Sequence, residues 1–175
     1  MKKLLNKIKL IDHLTTNLPI TKKEFVDRLL FITEEKNINA FSDIFAGFSH
    51  SPLEFKGQVT VDSFKIKRLK RFFEFNHYLP IASGTMIEKD GQLIVETEIN
   101  GFTFLIIPFC LLIVFFSIPI LGLIFSDNKF DLFSFLIVLI FATTMFFIIY
   151  LNARGGVKRF KYEMEKEFFY LTKKK

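Results

Sequence analysis

The chain has no tryptophan, a single cysteine, three histidines, five prolines and eight glycines among 175 residues. One cysteine, Cys110, rules out an intramolecular disulfide and any metal site built from several thiolates of one chain. His13, His50 and His77 lie far apart and fall into no HExxH-type spacing, so they do not announce a metal centre. Gly155-Gly156 lacks the flanking pattern of a phosphate loop or a dinucleotide fingerprint, and Ser83 and Ser117 have no nearby His/Asp arrangement. No catalytic residue, cofactor or metal is expected, and the reading is non-enzymatic.

The absence that decides most is that of charge. Phe102–Phe125 and Leu132–Leu151 contain no Lys, Arg, Asp, Glu or His. Each matches the roughly 20 residues a helix needs to cross a bilayer's hydrocarbon core. Ser126–Asp131 separates them, with Asp127, Lys129 and Asp131. The pattern predicts a transmembrane helical hairpin, with Pro108 and Pro119 kinking its first helix. The polar side chains inside the runs are Thr103, Ser117, Ser134, Thr143, Thr144 and Tyr150. Transporters and proton relays usually carry ionisable groups there, so the hairpin reads as an anchor or an assembly surface. Without tryptophan, the interfacial aromatic belt falls to tyrosine and to the 25 phenylalanines, Tyr150 first among them. At the N-terminus, Met1-Lys2-Lys3-Leu4-Leu5 begins like a signal peptide, but Asn6, Lys7, Lys9 and Asp12 interrupt it, so no cleaved signal is expected.

The remainder predicts an α+β region at 1–101, with about four antiparallel strands and flanking helices. Residues 1–21 read as a polar lead closed by Pro19. Thr21-Lys22-Lys23-Glu24 is a capping box, and Phe25, Leu29 and Ile32 continue at helical spacing, giving a helix over Lys22–Glu35. A short helix or docked loop is expected around Ala40–Phe45. From Phe55 the period changes to two: Phe55, Gly57, Val59 and Val61, then Phe64 and Ile66 after a turn at Asp62-Ser63. Phe72–Tyr78 is left open between strand and loop. A second hairpin pairs a face of Ile81, Ser83, Thr85 and Ile87 with one of Leu93, Val95, Thr97 and Ile99. A three-residue loop, Lys89-Asp90-Gly91, with Ile87 opposite Leu93, would place both sets on one side; a two-residue Asp90-Gly91 loop would oppose Glu88 to Leu93 and mix the faces, so the three-residue loop is expected. Asn152–Gly156 predicts a break after the second membrane helix. Val157, Phe160, Met164, Phe168 and Leu171 then form one stripe of an amphipathic helix within 152–175, expected to cover the sheet or lie on the bilayer.

The formal net charge is +6. Arg154, Lys158, Arg159, Lys161, Lys166 and Lys173–Lys175 follow the second run, against Lys129 alone in the loop. By the positive-inside rule both termini are cytoplasmic. The run Lys65, Lys67, Arg68, Lys70, Arg71, with Lys158, Arg159 and Lys161, supplies the expected contact residues for anionic headgroups or a partner. Nucleic acid is not an expected partner. Glu96 and Glu98 share a strand face and read as solvated.

The stretch Phe55-Lys56-Gly57-Gln58-Val59, Phe64-Lys65-Ile66-Lys67-Arg68, Leu79-Pro80 and Gly84, followed by the two runs, resembles a group of uncharacterised bacterial two-pass membrane proteins with a β-rich segment before a membrane hairpin. That resemblance implies architecture and a bacterial inner-membrane location, and brings no catalytic residues. The expected function is a membrane-anchored module presenting a small cytoplasmic domain to a partner or to headgroups, with the bilayer and a protein partner or second copy as its contacts. An accessory subunit of a transport or channel assembly is the alternative. A membrane-active toxin or holin-like role is disfavoured by the size of the region ahead of the hairpin.

Overall fold

A computed structural model describes residues 2–36, 38, 53–69, 80–102, 112–114, 116–117, 122 and 132–173. The expectations for Ala40–Phe45, Phe72–Tyr78, the Ser126–Asp131 loop and most of the first apolar run lie outside the described residues. The elements run α1 (Lys2–Lys7), β1 (Ile11–Leu18), α2 (Lys22–Phe31), β2 (Thr33–Glu35), β3 (Phe55–Val59), β4 (Ser63–Arg68), β5 (Ile81–Lys89), β6 (Gln92–Asn100) and α3 (Leu132–Lys173). The strands form one six-stranded sheet in the order β1-β6-β5-β4-β3-β2. All neighbours are antiparallel except β2 and β3, which are parallel.

The sheet is thus mixed and six-stranded, not an antiparallel sheet of four. The supposed polar lead supplies the eight-residue edge strand β1, paired along its length with β6 from Ile11↔Asn100 to Leu18↔Leu93. Its alternation was hidden because the inward face carries Asp12 and Thr16 in alternation with Leu14 and Leu18. The helix capped by Thr21, whose Oγ1 accepts the Glu24 N–H at 3.3 Å, begins where the capping box places it. It stops at Phe31 rather than Glu35, because Thr33–Glu35 joins the sheet beside Phe55–Gly57.

The second hairpin has the other register. Glu88 faces Leu93 and Ile87 faces Ile94, with Asp90-Gly91 as a two-residue loop. Asp90 (φ 53°) and Gly91 (φ 74°) both adopt the left-handed region. That is the geometry of a type I′ turn, whose twist matches the flanking strands. The buried face of β5 is therefore Ala82, Gly84 and Met86, and Ile87 is 51% exposed. The β6 face, Leu93, Val95, Thr97 and Ile99, is buried as its alternation predicts.

One face of the sheet is covered by α2 and by the C-terminal half of α3. Phe25 and Leu29 of α2 and Val157, Phe160, Met164, Phe168 and Leu171 of α3 share one core with the sheet. The stripe of α3 is packed on protein. Phe168 meets Phe25 and Phe64 edge to face, at centroid distances of 5.3 and 5.9 Å. Phe64 lies over Gly84, where a Cβ would fall 2.3 Å from the ring. A glycine there leaves the volume that lets Phe64 reach α3.

α3 does not break at Gly155-Gly156: it is continuous over 42 residues, about 63 Å at 1.5 Å per residue. Helix hydrogen bonding and the docked stripe beyond Val157 hold the glycines in register. Before Tyr150 the helix is nearly all apolar and exposed. Its most apolar stretch is only 6% buried, so that stretch is not part of the domain's core, and the helix is long and apolar enough to cross a membrane.

Candidate functional site

Two regions come out of this architecture. The first is the sheet face opposite α2 and α3. Across β1, β6, β5 and β4 it presents two polar cross-strand rows, His13–Glu98–Ser83–Lys65 and Thr15–Glu96–Thr85–Ser63. They line an open groove of about 800 Å³. The strand period of two forces this composition, since the alternate residues are buried in the core. Lys2 of α1 reaches over its rim and pairs with Glu98 at 3.0 Å. Among the described residues no three His, Cys, Asp or Glu side chains converge as metal ligands. The groove is a mixed-charge, hydrogen-bonding surface. Further across the same face, Glu34, Lys56 and Lys67 occupy successive positions of one row. Lys56 and Lys67 are only 6% and 4% exposed, and Lys36 forms an ion pair with Glu34.

The second region is the junction between the sheet and the apolar half of α3. Tyr150 donates its hydroxyl to the Ile8 carbonyl at 2.9 Å. Leu5, Leu10, Ile11 and Ala153 are buried together there, with Ile8, Phe102 and Tyr150 packed around them. Gly101 donates its N–H to Leu10 O at 2.9 Å, and a Cβ on Gly101 would come within 2.5 Å of Val157 Cγ2. A bare backbone at Gly101 is what lets β6 end directly beneath α3.

The basic residues singled out in the sequence do not form one surface. Lys65 is exposed beside the groove, whereas Lys67 is buried. Arg68 lies on the helix-covered side and pairs with Glu163 at 2.5 Å. Glu163 is twelve residues beyond Leu151, about 18 Å along the helix axis, well past a Debye length of about 8–10 Å from the end of the apolar run. Lys161 pairs with Asp12 at 2.9 Å. Lys158 and Arg159 are exposed seven and eight residues beyond Leu151, about 10–12 Å along the axis and at the edge of the Debye range. Lys70 and Arg71 lie outside the described residues. α1 and the turn after it were only faintly legible: Leu5, Ile8, Lys9 and Asp12 carry a weak helical spacing, whereas the helix itself is Lys2–Lys7 and Leu5, Leu10 and Ile11 gain their meaning from Tyr150 and Ala153, which receive them.

Burial of Asp12 works against its ionisation. Hydrogen bonds from Lys161 and from the His13 backbone, with the charges of both residues, outweigh it and hold the carboxyl below its ordinary value of 3.8.

Comparison with known protein families, with curated proteins and with solved structures finds no match. The class defined by the structure is an α+β domain with a six-stranded mixed sheet and one long C-terminal helix, apolar enough in its first half to span a membrane.

Proposed function

We propose that the protein is a two-pass membrane anchor that holds its sheet domain at the cytoplasmic face of a bacterial inner membrane and offers it, without chemistry of its own, to a partner protein or to lipid headgroups. The observation that carries this reading is the continuity of α3. One unbroken helix is lipid-exposed in character before Tyr150 and core-buried after Ala153. A domain fixed to such a strut cannot pivot freely with respect to the bilayer. Pairing of the two apolar runs as a hairpin is supported by Phe116, whose ring lies 6.0 Å from that of Phe141. A cytoplasmic location for both ends is supported by the excess of Lys and Arg after the second run. The polar groove across β1, β6, β5 and β4 is the partner-facing surface in this reading.

The subunit alternative needs polar or small groups in the span that seek another helix. Thr143 and Thr144 instead donate back to Leu139 O and Ile140 O, each at 2.8 Å. Their hydroxyls are satisfied within their own helix, which favours the anchor.

The test is topology and retention in intact cells. In a Cys110→Ala background, a cysteine at Asn128 should be labelled from outside and one at Thr172 should not. The chain should stay with membranes washed in alkaline carbonate. External labelling of Thr172, or release by carbonate, would overturn the reading. Leu at Ala142 and Thr143 should leave migration on a native gel unchanged; loss of a larger assembly with normal insertion would favour the subunit.

A further inference from the structure

From the junction we infer that α1 and its following turn form a headgroup-binding collar, in which Lys7 and Lys9, with Arg154 and Lys158 of α3, bind anionic phospholipids at the bilayer surface. This inference rests on the anchor reading and gives its lipid contact a place. Tyr150 is the last aromatic of the uncharged run, the depth at which a tyrosine settles in the headgroup layer. Its hydrogen bond to Ile8 O brings the backbone between Lys7 and Lys9 to the same depth. Arg154 and Lys158 follow Tyr150 at intervals of four on α3, so they rise from that point along one side of the helix.

Three further observations bear on this cluster; Lys3, Lys23, Lys65, Lys89 and Arg159 are likewise exposed without a carboxylate partner among the described residues, so it is the Tyr150–Ile8 contact that singles these four out. Lys7, Lys9 and Lys158 are exposed and Arg154 is half-buried. Among the described residues none of the four pairs with a carboxylate, whereas Lys2, Lys22, Arg28, Arg68 and Lys161 all do. No acidic residue occurs before Asp12 or between Tyr150 and Tyr162. The positive charge at this level is therefore uncompensated within the local chain, and an anionic lipid surface is the counter-charge that lies at the right height. Lys9 holds a left-handed backbone (φ 59°), closing α1 through Lys9 N–H to Asn6 O and Leu10 N–H to Leu5 O, each 3.0 Å. That tight turn fixes Lys7 and Lys9 on either side of the Tyr150 contact. Leu4 is 61% exposed one turn earlier, placed to enter the same interface.

The experiment is hydrogen exchange on the full chain in vesicles of phosphatidylcholine with or without one quarter phosphatidylglycerol. Exchange at Lys7–Leu10 should slow in the anionic vesicles. The slowing should fall roughly fivefold for each charge removed in Lys7→Gln and Lys9→Asn, and vanish in 0.5 M NaCl, while β6 amides stay unchanged. Asparagine tolerates the left-handed backbone at position 9, so neither variant threatens the fold. Equal exchange in the two vesicle types would overturn the collar. So would equal slowing by inorganic phosphate over neutral vesicles, which would mark a free-anion site. A chain that carbonate releases from the vesicles would end the anchor reading and the collar with it. A retained chain with lipid-independent exchange would end the collar alone.

Discussion

Lys161 Nζ lies 2.9 Å from Asp12 Oδ1 and ties edge strand β1 to α3 across 149 positions of sequence. β1 is held otherwise by β6 and by its buried Leu14 and Leu18, so this ion pair latches the outer edge of the sheet under the helix. Because the Asp12 carboxyl titrates below its ordinary value, the contact stabilises the fold above that value and is lost as pH falls through the lower, folded-state value. Asp12→Asn should speed exchange of β1 amides at pH 6. The difference from the parent should shrink as pH falls below 3.8 and through the lower, folded-state value. A difference that is constant across that range would show that the carboxylate charge is not what secures the strand.

Gly84 is set by a ring rather than by a turn. Its added Cβ would meet Phe64 Cζ at 2.3 Å and the Glu96 carbonyl at 2.9 Å. Gly84→Ala should destabilise the domain by about 1–3 kcal/mol, as overpacking does. Phe64→Leu in the same chain should recover part of that loss, even though it gives up the contact with Phe168. Thermal unfolding of the detergent-solubilised protein, followed in the near-ultraviolet, reads both. Full tolerance of alanine alone would contradict the packing described.

Thr97 is 2% exposed between Leu14 and Gly84, and its hydroxyl has no hydrogen-bond partner among the described residues. A buried unsatisfied hydroxyl costs about 1–3 kcal/mol, and valine has the same shape without it. Thr97→Val should therefore raise stability by about 1 kcal/mol in chemical denaturation. A loss of that size would instead reveal a partner for the hydroxyl.

The Asp90-Gly91 turn makes a paired prediction. Gly91→Val should cost about 1 kcal/mol or more, since a β-branched residue resists the left-handed region. Asp90→Asn should be close to neutral, because asparagine suits the first position of the same turn. Equal damage from both would point to a side-chain role for Asp90 instead of a backbone one.

Deleting 157–175 should unfold the sheet and leave no folded remainder, because Val157, Phe160, Met164, Phe168 and Leu171 are each 4% exposed or less and supply much of one core. Protease resistance of the truncated chain in membranes would check this. A folded remainder would mean that α2 alone can seal the sheet.

Chemistry that acts over a few residues was legible in the sequence. The uncharged run Leu132–Leu151, the Thr21 cap, the buried alternation of Leu93 to Ile99 and the stripe from Val157 to Leu171 follow from charge, local hydrogen bonding and period, and each stands in the structure. The turn residues Asp90-Gly91 were legible too. The wrong register came from trusting Ile81 and Ile87 as the buried face, when Phe64 over Gly84 and Phe168 from α3 fill the other one. What only the tertiary structure decided depends on partners distant along the chain. β1 and β2 have short, mixed patterns that become strands by pairing with β6 and β3. Gly155-Gly156 stays helical because the residues on either side are held by different surroundings, an apolar span below and a protein core above. The candidate site follows the same rule: the turn that carries Lys7 and Lys9 is brought to α3 only through Tyr150, Ile8 and the packing on Ala153, while Lys67 and Arg68, prominent in the sequence, are taken into burial and an ion pair. Charge fixed how many cations the chain would carry; long-range packing chose which of them remain unpaired at the junction.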